Sequence, residues 1–266
     1  MSLDGCLPPP YGAHGVPTLL TIPFSHFCEK ARWALDHARV IYREEGHVPG
    51  LHRRAVKLAS GKASSVPVLL LDGDGALDDS PLIVRWADAR ATSDRKLLPS
   101  GGGELDDALA LERHFDVDFA PHVRRLAYFH LLADRQRALA LMRVATPPLE
   151  NTLVRLGFPL LRRLMRSRMR IDAEGAARSR EKVRAVFEET TQRLADGRPY
   201  LMGDRFGVAD LTFAALSSPL LRPEEHPLRP ALGDDVPPGL AEEARVVRET
   251  PAARFALRMY REHRAA

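Results

Sequence analysis

Two rhythms divide the chain. Up to about residue 90, apolar runs of strand length alternate with stretches of helical spacing. Beyond about residue 103, nearly every stretch keeps helical spacing. Thr18, Leu19, Leu20, Thr21 and Ile22 predict a buried strand over 17–22. Phe27, Ala31, Ala34, Leu35 and Ala38 then recur at helical intervals and predict a helix over 25–38, with Ser25 as its N-cap. Trp33 lies off that stripe, which predicts a contact outside the first layer, with a second domain or a subunit. A second strand is predicted over 40–45, and a short helix over 51–60 with Leu51, Ala55 and Leu58 on one side. The run 66–71 reads as a strand with Pro67 near its start, where a missing donor is tolerated and a cis Val66–Pro67 bond is favoured. Asp72-Gly73-Asp74-Gly75 is a hairpin turn signal with Ala76-Leu77 as the return strand. Ser80 as N-cap and Pro81 at the first helical position open a third helix, buried through Leu82, Ile83, Trp86 and Ala89. The first half of this order requires a parallel crossover and the second an antiparallel pair.

The remainder predicts helices near 104–118, 121–144, 148–170, 173–196, 207–218 and 251–264, broken at Pro121, at Pro147-Pro148 and at Gly197 with Pro199. Six prolines between 219 and 238 predict an irregular, lid-like segment. No internal repeat is present. Residues 1–15, with Pro8-Pro9-Pro10 and three glycines, read as a disordered leader, and 92–103, ending Pro99-Ser100-Gly101-Gly102-Gly103, as a linker. The expected organisation is an α/β domain over 16–91 and an all-α domain over 104–266.

Composition narrows the function classes. The 266 residues are long enough for two domains, and 45% hydrophobic with 28% charged residues suits a globular chain. The 39 basic and 35 acidic residues are interleaved, and no base-stacking module accompanies them, so nucleic acid is not an expected partner. Two cysteines, Cys6 and Cys28, make no disulfide framework, which points to a reducing, cytoplasmic setting. No signal peptide and no bilayer-length apolar run are read. The ten histidines fit no metal-ligand spacing, so no metal is expected, and neither a dinucleotide fingerprint nor a P-loop is present. Residues 149–171 are apolar with six interspersed arginines. A membrane-surface helix is one account; a second-domain helix with an arginine-rich outer face is the simpler one, and a membrane is not an expected partner.

The chemistry concentrates in Pro23-Phe24-Ser25-His26-Phe27-Cys28-Glu29-Lys30-Ala31-Arg32-Trp33-Ala34-Leu35. A helix start carries unpaired N–H groups and partial positive charge, and so stabilises an anion. If that anion is a thiolate, the Ser25 hydroxyl can donate to it, with Cys28 one turn further on. The plainer account is that Ser25 caps a helix and Cys28 fills core, and the local stretch leaves both open.

The stretch from Ser25 to Leu35 resembles the active-site loop and first helix of the glutathione transferase superfamily. Ser65-Val66-Pro67-Val68-Leu69 resembles its cis-proline loop, and Asp79-Ser80 its acidic-Ser pair before the third helix. Arg198 to Leu211 is similar to the run into its buried C-terminal-domain helix, although Gly207 stands where the family has Ser or Thr; Asp210 is in place to reach back to the Gly207 N–H. The resemblance implies a thioredoxin-like N-terminal domain followed by an all-helical domain, glutathione as co-substrate, an electrophilic small molecule as second substrate, and a homodimer. It makes Ser25 the first candidate for handling the thiol and Cys28 the second; His26 also lies near the loop. It assigns the Val66 backbone beside Pro67 to the cysteinyl backbone of glutathione. Ser80 would take the γ-glutamyl carboxylate and Asp79 the γ-glutamyl ammonium. Lys62, or one of His52, Arg53 and Arg54, would answer the glycyl carboxylate. Helices near 104–130 would line the electrophile pocket, with Phe115, Phe119 and Tyr128 as candidates. The implied function is a detoxifying transferase; the alternative is a binding or scaffolding protein that keeps the fold without catalysis.

Overall fold

A computed structural model describes residues 15–61, 65–72, 75–233 and 235–264. Residues 1–14 of the expected leader, Lys62, and Gly73-Asp74 of the expected turn lie outside the described residues. Strands β1 (Thr18–Thr21), β2 (Arg43–Gly46), β3 (Val68–Leu71) and β4 (Gly75–Leu77) form one sheet in the order β2-β1-β3-β4. The β1–β2 pair is parallel, while β1–β3 and β3–β4 are antiparallel. Helix α1 (His26–His37) makes the parallel crossover, α2 (His52–Ser60) precedes β3, and α3 (Ser80–Arg90) follows β4. This is the mixed sheet that the first rhythm predicts.

The structure differs locally from these expectations at three places. The second strand begins at Arg43, not at residue 40. Arg39 is left-handed (φ 56°) and the Val40 N–H returns to the Leu35 carbonyl (2.9 Å), so helix-end geometry takes up those residues. The cap of α3 is Asp79, whose carboxylate accepts the Ser80 N–H at 2.8 Å; this moves Ser80 inside the helix. Of the expected buried side, Ile83 and Trp86 are buried with Val84 and Ala87, while Leu82 and Ala89 are exposed. On α2 it is Val56 that is buried, while Leu58 is exposed.

The second half is helical: α4 (Gly102–His114), α5 (Ala120–Leu131), α6 (Arg135–Met142), α7 (Pro148–Met169), α8 (Ala173–Arg193), α9 (Val208–Leu221), α10 (Arg229–Leu232), α11 (Pro238–Arg248) and α12 (Pro251–His263). Pro121 does not break the chain. A wide π-type turn over Phe115–Phe119 joins α4 to α5 and absorbs the missing donor. The expected 121–144 helix is instead cut at Asp134, which caps α6 by accepting the Arg137 N–H at 3.0 Å. The proline-rich stretch holds α10 and the start of α11, with Pro238 in the first turn, where proline is tolerated.

Helix α9 is buried almost all round and is the post of the main core. Phe115 and Phe119 pack on Phe213 of that helix (5.2 and 5.6 Å between rings), so they are core residues and not lining of a pocket. Asp210 accepts the Gly207 N–H (2.8 Å) and the Leu201 N–H (2.7 Å), which supplies the carboxylate half of a capping box whose hydroxyl half Gly207 lacks. Trp33 packs on Tyr260 of α12 (4.5 Å between rings) and donates to the His263 carbonyl (3.0 Å). That is the contact beyond the first layer its position predicts. Buried charges fasten the same seam: Glu29 of α1 accepts from Arg264 at 2.7 Å and pairs with Arg32 at 2.5 Å. Lys30, fully buried, bridges Glu112 (2.9 Å) and Asp116 (2.6 Å).

Candidate functional site

The strand ladders bring the separated motifs to one end of the sheet. Leu20 of β1 faces Val68 of β3, so the Val66–Pro67 bond lies opposite the residues by which β1 leaves the sheet toward Ser25. That bond is cis. Leu69 faces Leu77 of β4, so Asp79 and Ser80 emerge beside the same end. Ser25, Val66, Pro67, Asp79 and Ser80 therefore share one edge, from three segments up to 55 positions apart in sequence.

The loop carrying Ser25 is held firmly. The Ser25 N–H donates to the Ile22 carbonyl (2.9 Å), and its own carbonyl accepts the Glu29 N–H (2.9 Å), the first bond of α1. Arg32 donates to the Pro23 carbonyl and to Glu44 (2.7 Å), which also accepts from Thr21 (2.8 Å). Ser25 occupies the N-cap position, but its hydroxyl makes no cap hydrogen bond. It hydrogen-bonds the Cys28 thiol instead.

Cys28 is in a different situation. Its side chain is fully buried, and burial pushes the thiol up to about 11. A thiol that is neither exposed nor ionised is a poor nucleophile. The candidate role of Cys28 as a thiol handler is set aside on these grounds, and it packs as core. Ser80 is also fully buried, and among the described residues its Oγ has no hydrogen-bond partner. A buried hydroxyl left without a partner costs stability and is rare in a native fold.

Beside Ser25 opens a cleft of about 270 Å³. Phe24, Ser25 and His26 form its floor. One wall comes from Arg124, Ala127, Tyr128 and Leu131 of α5 with Ala140 and Leu141 of α6; the other comes from Ser218 and Pro219 of α9 and the proline-rich segment that follows. The segment expected to be lid-like forms this second wall. Val66, Pro67, Asp79 and Ser80 do not line this cleft, so Ser25 stands where two surfaces meet. The Tyr128 phenol is pushed up to about 12 by burial and stays protonated. Burial, with Arg124 beside it, pushes the His26 imidazole down to about 3, so it is neutral at physiological pH.

Sequence reasoning missed Arg124, which lies over the Phe27 ring (5.9 Å). The signal was present, because 124, 128 and 131 share a helix face with Tyr128. The neighbouring Arg125 turns away, donating to the Met169 carbonyl (2.8 Å) and Ser179 (2.9 Å). Among the described residues no cluster of His, Cys, Asp or Glu could hold a metal ion, and no helix is long and apolar enough to cross a membrane.

Comparison with known proteins places this geometry in context. Residues 19–95 match the glutathione S-transferase N-terminal domain family, and residues 141–237 match the glutathione S-transferase C-terminal domain family; together they cover well over half of the chain. The chain is similar in structure to a glutathione S-transferase from Sinorhizobium meliloti 1021, with TM-score 0.58 and 22% identity over 92% of this chain and 93% of that one. It is also similar to glutathione S-transferase I from maize, solved with an atrazine glutathione conjugate, with TM-score 0.55 and 17% identity over 93% and 99%. A third is glutathione transferase F7 from Populus trichocarpa, with TM-score 0.55 and 14% identity over 91% and 98%. At these identities the likeness is one of fold. No curated protein sequence matches the chain.

Proposed function

Since the chain belongs to the glutathione S-transferase superfamily, we propose that it activates the thiol of glutathione for attack on an electrophilic small molecule. The observation that carries this reading is the shared sheet edge, which brings together the Ser25 hydroxyl, the Val66 backbone and the orphaned buried Ser80 hydroxyl. Glutathione offers two carboxylates, an ammonium, a peptide backbone and a thiol, and this edge has a group for most of them. The Val66 backbone suits the cysteinyl backbone. The Ser80 hydroxyl, at the first turn of α3, suits the γ-glutamyl carboxylate. Asp79 is exposed, and its carboxylate suits the γ-glutamyl ammonium even while it caps α3.

Ser25 supplies the chemical step. A hydroxyl that donates to a thiolate favours the ionised sulfur and lowers its pKa. The sulfur then forms a C–S bond with an electrophilic carbon, and either a leaving group departs with its electron pair or a conjugated double bond takes up a proton. The cleft beside Ser25 holds the electrophile, with Tyr128 as a protonated donor and walls that mix apolar side chains with Arg124 and other polar groups. A homodimer in a reducing, cytoplasmic compartment fits the family resemblance.

Calorimetric titration with reduced glutathione, on wild type, Ser25→Ala and Ser80→Ala, tests the reading. Saturable binding at or below millimolar concentration, with an ionised-thiol absorbance that Ser25→Ala abolishes, is the expected result. Absence of binding to the folded wild type would remove the transferase reading and favour a scaffold that keeps only the fold.

A further inference from the structure

Helix α7 is apolar on two opposite sides. Its inner side gives Val154, Phe158 and Met165 to a core cluster shared with Leu131 and Met142. Its outer side carries Leu149, Leu153, Leu156, Leu160 and Leu164, at the three- and four-residue intervals that keep them in one line. They are 71%, 47%, 71%, 73% and 45% exposed. The line is about 22 Å long at the rise of an α-helix. It holds half of the exposed large hydrophobic side chains in the described residues, so it is a patch and not the usual scatter. The simpler expectation from sequence put arginines outermost; the structure puts leucines there, with arginines beside them.

The charge around this line has a single sign. On the helical projection Arg163 borders it on one side and Arg168 on the other, with Arg155 and Arg166 further round. Glu150 is the one acidic residue of α7, and it is engaged by His47 (2.7 Å) and the Val48 N–H (2.9 Å). We propose that this face of α7 seats the protein on an anionic phospholipid surface, lying in the plane of the interface. The leucines would enter the boundary between headgroups and acyl chains while the arginines extend to the phosphates. A specific protein partner is disfavoured because the exposed line holds no aromatic side chain and few hydrogen-bonding groups, the features that anchor such interfaces.

The test is sedimentation of the full chain with vesicles of phosphatidylcholine alone or mixed with phosphatidylserine. Binding to the mixed vesicles is expected at least about ten-fold above the neutral ones, and falling as salt rises. Leu156→Ser with Leu160→Ser is expected to reduce it at least ten-fold. Arg163→Glu with Arg168→Glu should act comparably, since each basic side chain near an anionic surface contributes roughly five-fold. All four positions are outside the core, so circular dichroism and melting should not change. Three results would overturn the proposal: no binding of folded wild type to either vesicle, binding indifferent to the leucine pair, or a concentration-dependent dimer that the leucine pair abolishes without vesicles.

Discussion

The two surfaces that meet at Ser25 are made by different means. The sheet edge is set by backbone pairing: Leu20 with Val68 and Leu69 with Leu77 fix where Val66, Pro67, Asp79 and Ser80 emerge. The groups it presents are the Val66 main chain, the Ser25 and Ser80 hydroxyls and the Asp79 carboxylate. The cleft is made of side chains from α5, α6 and the segment beyond α9, elements about a hundred residues apart. Side-chain replacement can reshape the second surface and leave the first intact. Such a division suits a co-substrate that stays constant and a second substrate that varies.

Four experiments would break or sharpen that contrast. The largest effect should come from the seam that holds both surfaces together. Glu29→Gln leaves Arg264 and Arg32 short of a buried partner and should lower the unfolding free energy by about 3 kcal/mol in urea titration. Glutathione and electrophile affinity should then fall together. Burial alone would raise the Glu29 carboxyl, but His226 in its protonated, acid-side form, together with Arg264 and Arg32, brings it down from 4.5 to about 2. The fold therefore favours its ionised form. That stabilisation is complete above pH 4.5 and is lost as pH falls toward 2, and Glu29→Gln should flatten that limb of the stability profile.

Ser25→Ala should come next, with kcat/KM lower by about 10- to 100-fold, the worth of a hydrogen bond to a charged sulfur. Ser80→Ala should separate binding from folding. Its Oγ has no partner within the described chain, so the melting temperature should not fall, while the Kd for glutathione rises roughly five- to ten-fold. A lowered melting temperature with an unchanged Kd would place that hydroxyl in the fold instead. Cys28→Ala should matter least: kcat within about two-fold of wild type, and stability lower by about 1 kcal/mol for the lost packing. In the wild type, Cys28 should resist thiol reagents until the chain unfolds, because it is buried with a thiol at about 11.

The sheet edge was legible in the sequence because its signals are local. Apolar runs, Pro67 and the acidic-Ser pair sit on short elements joined by short turns. The one-residue shift of the α3 cap arose because Asp79 and Ser80 are both good caps and only the folded turn chooses between them. The cleft was less legible. Tyr128 was among the candidates, but Phe115 and Phe119 carry the same aromatic signal and are spent on the core. Helix α11 was hidden by Pro237-Pro238, which open it instead of breaking the chain. The outward turn of the α7 leucines was hidden as well. A helix apolar on two sides gives no single stripe to read, and only packing shows which side the core takes.

Val48, with Leu131, Leu132, Ala138, Leu139, Met142, Val154, Phe158, Met165 and Ile171, forms a second core cluster, joined to the one around α9 through the half-buried Phe129, which packs on both. Phe24, Tyr128 and Leu141 pack against this smaller cluster and also line the cleft. A unit with its own apolar interior can open and close with its own free energy, below that of global unfolding. Amide protons of α6 and of the inner side of α7 should therefore exchange as one cooperative group, ahead of those in α9. Each such opening would widen the cleft while the main core stays closed, making the smaller cluster a natural gate for the entry and exit of bulky molecules.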